Sequence, residues 1–184
     1  MNRTMLRPLL ALALPVLAML YFWLSNHLVA SGGHRLILKV DGYDPRDLVA
    51  GFYLRYTVDY GLASGCDKAP EQQELCACFD STTAPLHKAT AFIPCSSRKA
   101  ESCPVYIRGR CKNSRLVAGI ERYYIPEKSR HVVPVIPEGS TITVRTSDEG
   151  NAVVTGFEVA GQPLLEYLEE HTTGETESSV SPED

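Results

Sequence analysis

The stretch CPVYIRGRCKNSRLVAGIERYYIPE, residues 103–127, decides the fold. Val105, Ile107 and Gly109 alternate with Tyr106, Arg108 and Arg110, and Lys112-Asn113-Ser114 then turns the chain into a second run. Alternation at period two places one set of side chains on a buried face and the other toward water, so two such runs around a short polar turn predict an antiparallel hairpin. The same logic extends outward. STITVRT (140–146) and AVVTGFEVA (152–160), joined by SDEGN, predict a second hairpin with a glycine in its turn. HRLILKV (34–40) predicts a strand with Leu36, Leu38 and Val40 buried. FYLRYTVDY (52–60) predicts another, with Phe52, Leu54, Tyr56, Val58 and Tyr60 on the core face and Tyr53, Arg55, Thr57 and Asp59 opposite.

Between these strands the pattern predicts little helix. Asp44 can cap one or two turns begun by Pro45 and stopped at Gly51. LLEYLEEH (164–171) predicts a closing helix with Leu164, Leu165 and Leu168 inward. From Gly61 to Ser102 the periodicity fails, and a long irregular connection is expected, with ATAFIP (89–94) as a short strand inside it. The architecture implied is mainly β: a single antiparallel barrel- or sandwich-like domain with short helices, preceded by one transmembrane helix.

That helix is the apolar run from Leu9 to Ala30, uncharged and of about the 20 residues a bilayer requires. Tyr21, Phe22 and Trp23 lie near its outer end, where aromatic rings favour the interface. A cleaved signal peptide ending at Val29-Ala30-Ser31 is the alternative. Arg3 and Arg7 before the span favour a cytoplasmic N-terminus and an exported domain. The expected organisation is residues 1–8 cytoplasmic, 9–30 in the membrane and 34–171 as an extracytoplasmic β domain with a cysteine-rich insertion at 61–103. A disordered acidic tail is expected at 172–184.

Six cysteines, at 66, 76, 78, 95, 103 and 111, agree with an oxidising compartment. Cys103 and Cys111 end an extended segment roughly 26 Å long at about 3.3 Å per residue, too far apart for a bridge. Cys76 and Cys78, with one residue between them, are poor partners for each other, so each is expected to reach a different distant segment. Zinc at Cys76-Ala77-Cys78 with Cys66 or His87 fits less well, because paired ligands usually stand two to four residues apart. No CxxC suggests thiol exchange, and the histidines at 27, 34, 87, 131 and 171 have no metal spacing. Ser96-Ser97-Arg98-Lys99 orients no base on a nucleophile. No cofactor and no metal are implied. A net charge of −4 and no basic stripe argue against nucleic acid.

Three blocks in order, DPRDLVAGFYLRY (44–56), VYIRGR (105–110) and GIERYYIPE (119–127), resemble the GDYXXLXY family of membrane-anchored extracytoplasmic bacterial proteins. In the naming motif Gly51 and Tyr53 match, while Phe52 stands in place of Asp, Tyr56 in place of Leu and Val58 in place of the second Tyr. The resemblance implies a single-pass protein of the cytoplasmic (inner) membrane with a periplasmic domain and an accessory role. It supplies no reaction, and the lost carboxylate weighs against catalysis.

In GIERYYIPE, Arg122 is expected to pair across to Asp44, Asp47 or Asp59 as part of a structural corner. A functional alternative groups Arg122, Tyr123 and Glu127 with Tyr53 and Arg55 as a patch for a partner or ligand. The sequence-level expectation is an interaction module for another envelope protein and not an enzyme. The rival is a receptor that holds an anionic small molecule or peptide where Arg55, Arg108 and Arg122 converge. A serine or cysteine beside His87 or His131 would instead revive a hydrolase.

Overall fold

A computed structural model of the chain describes residues 3–41, 53–62, 66, 73–80, 85–97, 103–126 and 137–177. Helix α1 runs Arg3–Gly32, and its stretch from Leu12 to Gly32 is long and apolar enough to cross a membrane. Its large side chains there stand exposed, as an anchor's would. It passes almost directly into β1 (His34–Asp41). Gly33 N–H donates to Val29 O at 2.9 Å, and the Arg145 guanidinium donates to Gly33 O at 2.8 Å. A β-carbon on Gly33 would lie 2.7 Å from both Thr146 O and Val29 O, so only glycine fits this junction.

The remaining elements are β2 (Tyr53–Arg55), β3 (Thr57–Asp59), β4 (Glu74–Phe79), β5 (Ala91–Pro94), β6 (Val105–Lys112), β7 (Arg115–Val117), β8 (Arg122–Tyr124), β9 (Thr141–Thr146), β10 (Ala152–Val159), β11 (Gln162–Pro163) and α2 (Leu164–Glu177). They form a five-stranded sheet in the order β11-β10-β9-β1-β3, a four-stranded sheet β5-β4-β6-β7 and a two-stranded ribbon β2-β8. All pairings are antiparallel. The inner faces meet in one core: Leu36, Leu38, Ile142 and Val144 from the first sheet, Leu75, Ala77, Phe79 and Ile107 from the second, Leu54 from the ribbon. None of the described sheets closes into a barrel.

Both expected hairpins form. Asn113 (φ 50°) and Ser114 (φ 64°) make the two-residue turn between β6 and β7, the left-handed pair that suits the twist of a tight hairpin. The β9–β10 turn docks on β6: Arg108 N–H donates to Gly150 O at 2.9 Å, and the Thr146 hydroxyl to Tyr106 O at 2.9 Å. These two bonds join the sheets at one corner and satisfy the hydroxyl of a fully buried threonine.

Four expectations need correction. FYLRYTVDY is two strands, because at Tyr56 the chain leaves the ribbon and joins the five-stranded sheet; the alternation survives, since Leu54, Tyr56, Val58 and Tyr60 are all buried. The supposed loop after Gly61 contains β4, which lies between β5 and β6 in its sheet. Leu165 is exposed, while Leu164 and Leu168 are buried. Helix α2 continues through Glu177, beyond the Thr172 at which order was expected to end. The short helix at Asp44–Gly51 and the core position of Phe52 lie outside the described residues.

The three disulfides are Cys66–Cys111, Cys76–Cys95 and Cys78–Cys103, with Cα–Cα distances of 5.9, 5.1 and 5.6 Å. Cys76 and Cys78 do reach different segments, and Cys103 and Cys111 do not join. On β4, Leu75, Ala77 and Phe79 belong to the core while Cys76 and Cys78 alternate with them on the opposite face, where the bridges cover them.

Candidate functional site

The described end of the first block that carried the resemblance, Tyr53–Tyr56, meets the third block in space, whereas VYIRGR (105–110) lies elsewhere in the four-stranded sheet. In the ribbon, Tyr53 stands opposite Tyr124, Leu54 opposite Tyr123 and Arg55 opposite Arg122. The Tyr56 hydroxyl donates to Ile120 O, and Tyr56 N–H reaches Glu121 O at 3.2 Å. Burial, and secondarily the Glu121 charge, push the Tyr56 phenol well above its ordinary range, so it stays a neutral donor. Phe157 of β10 packs edge-on to Tyr56 at 5.2 Å and tilted against Tyr123 at 5.5 Å, which fixes the ribbon to the five-stranded sheet.

Glu121 is a structural group. Its two oxygens accept Ala118 N–H at 2.7 Å and Gly119 N–H at 2.9 Å, holding the bend between β7 and β8. Arg122 does not pair with Asp59 as expected; its guanidinium lies 5.1 Å from the centre of the Tyr53 ring, a cation–π contact. The Asp59 carboxylate instead accepts Gly61 N–H at 2.7 Å. Asp44, Asp47, Glu127 and His131 lie outside the described residues.

The ribbon, the bend and the β6–β7 hairpin enclose an open concavity of about 860 Å³. Arg55 and Arg122 line one side, Lys112 and Arg115 the other, and Glu121 is the single carboxylate among the described lining residues. Arg115 donates to the Thr57 hydroxyl at 3.2 Å, which steadies the hairpin over the groove. Tyr53 is buried beneath Arg122, Tyr123 is half-buried against the core, and Tyr124, 66% exposed, stands at the rim. Arg55 and Arg122 face each other directly in the ladder, where like charges cost stability, and among the described residues neither has a carboxylate partner. Such a placement suits an anion that bridges the two forks.

Arg108 is not part of this groove. It lies on the outer face of the four-stranded sheet, beside α1, so the three-arginine convergence does not form. Lys112 and Arg115 take its place. Sequence reasoning missed them because they flank a turn, although their positions either side of a two-residue hairpin loop put both at its tip. His87 is buried and structural: Ile37 N–H donates to its Nδ1 at 3.0 Å, and the His87 backbone N–H donates to Ile37 O at 2.8 Å. No described group of three or more His, Cys, Asp and Glu residues could hold a metal ion.

The family described as GDYXXLXY protein matches residues 15–157, well over half of the chain. Neither the curated proteins nor the solved structures yield a match. The chain belongs to the GDYXXLXY family.

Proposed function

We propose that this member of the GDYXXLXY family is a single-pass protein of the cytoplasmic membrane whose periplasmic β domain serves as an interaction module, gripping an acidic segment of another envelope protein in the Arg55–Arg122 groove. It is a binding module and not a catalyst. The observation that carries this reading is the pair of arginines set opposite each other in the ribbon, joined across the groove by Lys112 and Arg115. Four cations around one spent carboxylate favour anions, and the exposed Tyr124 ring at the rim supplies the apolar, low-entropy contact common at protein interfaces. The three disulfides support an oxidising location for the domain.

A photo-crosslinking residue at position 124 should capture one envelope protein in cells, and Arg55→Glu with Arg122→Glu should abolish the capture while the melting temperature holds. Equal capture from a probe at exposed Glu158, or capture indifferent to the charge reversal, would refute the reading.

The groove's volume, within the roughly 300–1,000 Å³ of small-molecule sites, favours a second occupant, a free anionic molecule or peptide. Binding of an isolated acidic peptide or dicarboxylate to the purified protein, measured calorimetrically, separates this occupant from a protein partner.

A further inference from the structure

Helix α1 has 30 residues and is therefore about 45 Å long at ~1.5 Å per residue, whereas the hydrocarbon layer is about 30 Å thick. One end must stand outside the hydrocarbon. Tyr21, Phe22 and Trp23 mark the interface, and Ser25, Asn26 and His27 follow at once as a polar step. The segment from about Phe22 onward thus runs through the headgroup layer.

The β domain meets the helix at this level. Phe22, Ser25, Asn26 and Val29, spaced to share one helix face, line a concavity of about 490 Å³ together with Arg108 and Arg110. The Arg108 Nε is buried and has no hydrogen-bond partner among the described residues, a donor held in place with nothing to receive it. Glu74, opposite Arg110 in the β4–β6 register, lines the same concavity without forming an ion pair with it. Two guanidinium groups outweigh that one carboxylate. Ser25, Asn26 and Asn151 add neutral hydrogen-bonding groups, while Phe22, Val29 and Ala152 supply an apolar wall.

We propose that this concavity seats the headgroup of an anionic phospholipid, its phosphate between Arg108 and Arg110 and its glycerol end along Phe22 and Val29. A guanidinium fork matches phosphate oxygens, and basic recesses beside a membrane helix are suited to lipid headgroups. The site is separate from the Arg55–Arg122 groove. It rests on the part of the proposed function that puts α1 in lipid.

The full chain in nanodiscs tests it. Trp23 is the only tryptophan, so its quenching by lipids labelled at different depths reports the level of the helix directly. Quenching by headgroup-proximal labels is expected. Quenching strongest from mid-chain labels would overturn the lipid seat and leave the anchor standing, and no quenching by any lipid label would overturn both. In native mass spectrometry, the detergent-extracted protein should retain phosphatidylglycerol over phosphatidylcholine. Arg108→Gln with Arg110→Gln should weaken that retention about tenfold or more, the loss of at least one charge-assisted contact. The exposed single variant Arg110→Gln, with its disulfides verified by mass, should show part of the loss even where the double variant folds poorly, and Arg115→Gln should show none. Retention unchanged in Arg110→Gln, equal retention of the two lipids, or full competition by inorganic phosphate in place of lipid would each refute the proposal.

Discussion

The two large sheets are stabilised by different means. The five-stranded sheet contains no cysteine; β9 and β10 join as a local hairpin while β1 pairs with β9 across more than 100 residues, and a clean alternation buries Leu36, Leu38, Ile142 and Val144 completely. Each of the three bridges has one half-cystine inside a strand of the four-stranded sheet, Cys76, Cys78 or Cys111, and they close segments separated by 19, 25 and 45 residues. In the five-stranded sheet apolar burial specifies the strands without a covalent link, even over the distance from β1 to β9. Where irregular chain intervenes between strands, closing it costs entropy, and a covalent link removes much of that cost from the unfolded ensemble.

Reduction is the sharpest way to test this difference. Reducing all three bridges should cost well over the roughly 2–5 kcal/mol of a single native disulfide, and hydrogen exchange should then reveal β4 and β6 losing protection before β1 and β9. Simultaneous loss across both sheets would erase the distinction. Next in size, Phe157→Ala should cost about 3–5 kcal/mol by denaturant titration, because that ring joins the five-stranded sheet to Tyr56 and Tyr123 of the ribbon. Gly150→Ala should cost about 1–3 kcal/mol: at φ 81° its β-carbon would lie 2.5 Å from the Tyr106 ring, where the β9–β10 turn docks on the other sheet.

The smallest effects separate two buried tyrosines. Tyr56→Phe removes a satisfied donor and should cost about 1 kcal/mol, whereas the Tyr60 hydroxyl has no partner among the described residues, and Tyr60→Phe should be neutral or stabilising. Burial raises both phenols, so the folded chain keeps protons that the unfolded chain releases near pH ~10. Stability from this source is complete below that pH and falls as pH rises above it. Thermal melts should decline less steeply above pH ~10 in the double phenylalanine variant than in the parent, and equal slopes would count against the assignment.

The hairpins were legible because their alternation is regular and their turns are polar. Strand β4 was not, and ELCACF explains why. Leu75, Ala77 and Phe79 face the core while Cys76 and Cys78 lie under their own bridges, so both faces are buried and no polar alternation remains. The break at Tyr56 was hidden for the opposite reason: a strand that changes partners without changing face keeps its pattern. Arg55 and Arg122 could be chosen from sequence as neighbours of the ERYY block. Their partners Lys112 and Arg115 depend on where the β6–β7 hairpin leans, which is a tertiary matter. Arg108 was given its correct side of a strand and the wrong neighbours, since period two specifies a face and not the surface opposite it.

The junction at Gly33 has one more consequence. With the helix bonded straight into β1 and clamped by Arg145, the domain has no slack tether on which to swing. If α1 spans a bilayer as proposed, the domain would drift in its plane at constant height, and a partner anchored in the same bilayer would find the groove by a lateral search with much of the rotational entropy already surrendered. Affinities measured with a detached domain in free solution will fall short of those in the intact membrane.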